Sequence, residues 1–283
     1  MVRTVDPVTW MRRQVAAQVR GLIVGDEASI DLAARAGDDD PGLFGPDSVT
    51  WRVHADSAMF VGGLRALLLQ VMHPLAMAGV ADHSAYRTDP MGRLWRTSLY
   101  VGTTTFGSTD DARAAIAMVK RVHERVVGVA ADGRPYAAND PHLLLWVHHT
   151  LVDSFLRAYR RYGSTPLTDA DADRYVDEMA VLAEEFGAEP AARSVAELRS
   201  WFGAERPELR AERPARDAVR FLMFPPLPVI SRPAYAVIAS AAVGLLPRSV
   251  RRSLWLPTVP AADPLVVRPA TRTLMRTLDW VMA

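Results

Sequence analysis

Apolar residues recur along this chain at three- and four-residue spacing and almost nowhere alternate with polar ones, which predicts helices and no regular sheet. Over 141–162, Leu144, Leu151, Phe155, Tyr159 and Tyr162 fall on one helical face. Over 168–187, Tyr175, Met179, Leu182 and Phe186 repeat the pattern. Aspartate before proline marks helix starts at Asp6-Pro7, Asp140-Pro141 and Asp263-Pro264. Ser194 and Glu197 have capping-box spacing, and Gly163 and Gly187 stand where helices should stop. The proline-rich stretch 224–233 reads as a rigid connector ahead of a C-terminal helical cap. With no internal repeat and no long flexible linker, the expected fold is all-α: a single domain over 1–283, a globin-like or orthogonal helical bundle.

Two apolar stretches approach the roughly 18 residues of a membrane span. Ser57 to Met72 is interrupted by Arg65 and Gln70, and Phe221 to Leu246 by four prolines. Both are expected to be buried or surface-docking helices, with no transmembrane segment. Peripheral membrane contact by the second stays open. The start, MVRTVDPVTWMRRQ, lacks the apolar core of a signal peptide, so the expected location is cytoplasmic, with membrane association open.

Composition narrows the chemistry. A net charge of +1 gives no electrostatic case for nucleic acid. The absence of cysteine excludes thiolate metal sites, thiolate-ligated haem and a cysteine nucleophile. Lys120 is the only lysine, so any amine chemistry rests on one side chain. No phosphate-binding glycine loop, GxSxG elbow or HExxH pair is present, which leaves phosphoryl transfer, dinucleotide chemistry and serine hydrolysis without support.

The informative region runs from Met72 to Gly128. His73 precedes Pro74, so a helix should end or kink there, and Gly79, His83 and Asp89-Pro90 are expected in a loop. Arg93, Arg96 and Thr97 share a helix face and make a cluster of donors suited to an anion, an oxygen species or a propionate. The plainer reading is a solvated face with surface ion pairs. The next helix should start near Ser108–Asp111, carry Ile116, Val119, His123 and Val126 on its apolar face, and close at Gly128. A histidine so placed is either a core residue bonded to a carbonyl or a proximal haem ligand in a dry pocket. Of the adjacent His148 and His149, one should pack and one should be exposed; His54 and His142 carry no pattern.

The order HP, GVADHS, DPxGRLxRT, FG and VxxVHERVVG, continuing through RPYAANDPHLLLWVHHTLVDSFLRAY, resembles a protein family over roughly residues 50–260. That family includes the latex-clearing rubber oxygenases and the fungal oxygenase that trims a farnesyl chain in mycophenolic acid synthesis. The resemblance implies haem b, with His123 as the axial iron ligand and with Arg93, Arg96 and Thr97 on the distal side. Arg96 stands where the rubber enzymes have a lysine, and an arginine rarely coordinates iron or delivers a proton. Haem binding therefore transfers better than rubber cleavage. For the carboxylate base of those enzymes, Asp82 and Asp89 are the nearest candidates, and His83 is a substitute.

The expected function is thus a haem-dependent oxygenase or oxidoreductase. Its expected partners are an apolar small molecule, such as an isoprenoid or lipid, and O2 or peroxide. Three rivals stand beside it: a non-haem metal enzyme using His73, His83 and His123, a haem or lipid carrier without catalysis, and a helical interaction domain.

Overall fold

The computed structural model describes residues 40–84, 88–188, 190–256 and 262–282, and the Asp6-Pro7 start lies outside them. Among the described residues the chain is all-α except for one two-stranded hairpin. The helices are α1 (Val49–His54), α2 (Met59–Gln70), α3 (Pro74–His83), α4 (Pro90–Phe106), α5 (Thr109–His123) and α6 (Pro141–Tyr162). They continue with α7 (Asp169–Phe186), α8 (Val195–Glu205), α9 (Arg213–Met223), α10 (Arg232–Gly244), α11 (Arg248–Ser253) and α12 (Arg268–Met282). Strands β1 (Val127–Val129) and β2 (Pro135–Ala137) pair antiparallel between α5 and α6, with Gly128 opposite Tyr136.

The long helix pair α2 and α6 forms the centre. Gly62 makes the close approach possible: a Cβ there would stand 2.6 Å from Phe155 Cδ1 and 3.1 Å from Phe155 Cα. Arg65, the charge that interrupts the apolar run, is 1 % exposed. It ion-pairs with Asp153 at 2.8 Å, donates to Ser154 Oγ at 2.7 Å, and donates through Nε to the Leu245 carbonyl at 3.1 Å. Buried charge persists only when so fully paired. One apolar cluster joins Leu68 and Leu69 of α2 to Trp146, Ala218, Ala241, Val243 and Met275, so the C-terminal helices share the central core.

Most caps fall where the pattern put them. Asp140 accepts from the His142 and Leu143 amides, Gly163 closes α6, and Gly187 closes α7 in the left-handed conformation (φ 84°). Ser194 accepts from Glu197 N–H, while the Glu197 carboxylate takes the Arg193 amide one residue earlier than a closed box would. Asp263 does not cap a helix: it lies in a π-helical turn, Asp263–Val267, and pairs with Arg268 at 2.7 Å.

Two local expectations are corrected. Gly79 and His83 belong to α3 rather than a loop, because His73 and Pro74 restart a helix directly after α2. The helix carrying His123 ends at that residue, and Val127–Val129 is a strand, because the Asp132-Gly133 turn (Gly133 φ 86°) folds the segment back on itself. Among the described residues no single helix is long and apolar enough to cross a membrane. The pair α2 and α3 passes on composition only when taken together across a 101° bend, and most of α2 is buried in protein.

Candidate functional site

Asp89 starts α4 by accepting the Gly92 amide at 2.9 Å, with Pro90 at the first helical position. One turn on, Thr97 donates to the Arg93 carbonyl at 3.0 Å, so the two lie on one face as their spacing requires. Arg93 is half-buried and donates to Ser84 Oγ at 2.9 Å. Arg96 and Thr97 are exposed, and Arg96 meets Asp89 at 3.4 Å in a surface ion pair. Arg96 and Thr97 thus lie on a solvated face with a surface ion pair, and the three side chains bond near neighbours along the chain.

Helix α5 packs against α4. Ser108 accepts from the Asp111 amide, two aspartates sit in the first turn, and Lys120, Arg121 and His123 fill the last, which matches the helix dipole at both ends. His123 is half-buried, with its ring 5.8 Å from that of Phe186 and inclined at 48°. Its Nδ1 is buried without a hydrogen-bond partner, and so is Asn139 Oδ1. Burial pushes the His123 pKa below its ordinary 6.5, partly offset by the Asn139 amide, so a neutral imidazole is favoured. The indole N–H of Trp95, on α4, is also buried and unpartnered. Folded proteins leave few such groups without a partner, and His149 Nδ1 is another of them here.

The candidate bases have other occupations. Asp82 accepts the Tyr136 hydroxyl at 2.6 Å, and Asp89 holds the start of α4. His83 is exposed and places Nε2 3.1 Å from the Val127 carbonyl, a contact in which the ring N–H donates.

The set His73, His83 and His123 is not drawn together. Among the described residues the metal-capable group is His73, His142 and Glu205, whose ligand atoms all lie within 4.8 Å of one another. Neither His142 nor Glu205 was legible, because they are distant in sequence and share no spacing motif. The remaining histidines are structural. His54 contacts Thr105 Oγ1 at 2.7 Å and the Tyr175 hydroxyl at 3.1 Å. His149 is buried, accepts the Ala192 amide at 3.1 Å and packs edge-on against Trp201, while His148 is half-buried rather than exposed. A cavity of about 80 Å³ lined by Tyr162, Arg272, Arg276 and Asp279 is polar and well below the roughly 300 Å³ of a small-ligand pocket.

In comparison with known proteins, residues 51–280 match a family model described as ER-bound oxygenase mpaB/B'/Rubber oxygenase, catalytic domain. The match runs from α1 into α12, further than the motifs reached. No curated protein and no solved structure matches the chain.

Proposed function

Since the chain belongs to the mpaB and rubber-oxygenase catalytic-domain family, an oxygenase family, we propose that it is a haem b-dependent oxygenase in which His123 would hold the iron. The observation that carries this reading is the His123 ring. It is half-buried, its uncharged form is favoured, and its Nδ1 is buried without a partner. A ligating imidazole has to be neutral, as burial favours here, and the neighbouring Asn139 amide could orient the ring. The donor chemistry of the site thus fits haem. When bound, haem iron supplies the activation of O2 or peroxide.

The chain's own residues then divide the work. His123 holds the cofactor and Phe186 limits the freedom of its ring. Arg93, Arg96 and Thr97 offer hydrogen bonds to a negatively charged oxygen, on a propionate or on the reacting partner. The Arg96 guanidinium would orient and stabilise rather than transfer protons. The substrate class is apolar, such as an isoprenoid or lipid, in keeping with a family that includes rubber oxygenases.

The test is the absorption spectrum of protein supplied with haem. A Soret band that shifts with carbon monoxide is expected, and His123→Ala should remove or greatly weaken it. Arg96→Ala should retain the band and lower oxygen-dependent turnover of an apolar substrate at least tenfold. A full Soret band in the His123 variant would refute the ligand assignment. A haem spectrum without oxygen- or peroxide-dependent product from an apolar panel would make the protein a carrier.

A further inference from the structure

We propose that His73, His142 and Glu205 form a second, haem-independent site for a divalent metal of the zinc class. The three come from separate elements that the fold brings together. His73 is the N-cap residue of α3, His142 lies in the first turn of α6, and Glu205 ends α8. Two nitrogens and one carboxylate oxygen suit borderline cations such as Zn2+, Co2+ or Fe2+ rather than Ca2+ or Mg2+.

The carboxylate makes this more than a chance grouping. The Glu205 side chain is 9 % exposed. His142 Nε2 lies 3.1 Å from Glu205 Oε2, yet Oε2 has no hydrogen bond. A buried carboxylate oxygen without a donor is unfavourable, and a cation between it and the two imidazoles would relieve that. His73 is 2 % exposed, so its ring is held in place. His142 is 51 % exposed, with its ring 5.9 Å from that of His73. Ligands of a tetrahedral Zn2+ stand about 3.3 Å apart, given bonds near 2.0 Å, and the three ligand atoms here lie within 4.8 Å of one another.

Coordination through His73 Nε2 would place the ring proton on Nδ1 and give up the Ala76 amide contact there, which at 3.5 Å is worth little. The surrounding charge favours a cation. Glu208 and Asp140 also act on His73, and Arg134, which opposes them, is paired with Asp132 and Glu208.

The experiment is titration of the full-length, chelator-stripped protein with Co2+. One equivalent should bind and give the visible absorption of nitrogen- and oxygen-ligated Co2+, and Zn2+ should displace it. His142→Ala replaces an exposed side chain and leaves the core intact; it should weaken binding at least tenfold, as should Glu205→Gln. Zn2+ should raise the melting temperature of the wild type and not of His142→Ala. His123→Ala should bind Co2+ normally, and His142→Ala should keep its Soret band, so the metal site and the haem reading stand or fall separately. Absence of Co2+ binding, or equal binding by both variants, would overturn the proposal.

Discussion

Two histidines outside the proposed chemistry, His54 and His149, are buried, and burial pushes their pKa values down to about 3 and about 4. Unfolded, each would titrate near 6.5. Their contribution to stability is therefore intact above pH 6.5 and is lost as the pH falls from there towards 3, where the unfolded chain binds protons that the folded chain refuses. The melting temperature is expected to drop steadily between pH 6.5 and 4, and His54→Gln should flatten that slope; an unchanged slope would show that other groups set it. At this scale the sequence was informative where a residue's neighbours were local. His123 stood out because Ile116 and Val119 mark the inward face of its helix, and both pack against the core as expected. Val126 also packs inward, but from a turn, so its three-residue spacing from His123 was coincidental. Partnerships such as His142 with Glu205 depend on tertiary contact, and no local pattern announces them.

Helix starts and stops were legible because capping is short-range chemistry, written within three or four residues of each terminus. The β1–β2 hairpin was not read, since three-residue strands are too short to show alternation, although Asp132-Gly133 is a hairpin turn signal. The contact between α2 and α6 was also invisible in the sequence, because a glycine inside an apolar helix gives no hint of the helix it faces. Gly62→Val is expected to destabilise the fold by about 1–3 kcal/mol, the usual penalty for overpacking. Phe155 Cα is backbone and cannot rotate away. Denaturant unfolding measures this directly, and a loss below half a kcal/mol would mean that the two helices part readily there.

Across the molecule, the apolar surface that stays outside is concentrated late in the chain. Phe224, Val229, Ile230 and Trp255 are all more than two-thirds exposed, and Arg248, Arg251 and Arg252 precede Trp255 on and just after α11. Peripheral membrane contact, left open by the sequence, is predicted for this region. The protein should float with vesicles of phosphatidylcholine and phosphatidylglycerol, and the pair Phe224→Asp and Ile230→Asp should lower the bound fraction at least tenfold. Equal flotation of the variant would remove this role. The all-α class was readable from periodicity alone. One apolar cluster takes in both Leu68 and Met275, so the C-terminal helices share packing with α2. That continuity has a mechanical consequence. A protease nick in the exposed connector around Ile230 would trim nothing away: the severed halves would remain clasped through Arg65 and the Leu245 carbonyl, like a split protein that reassembles itself.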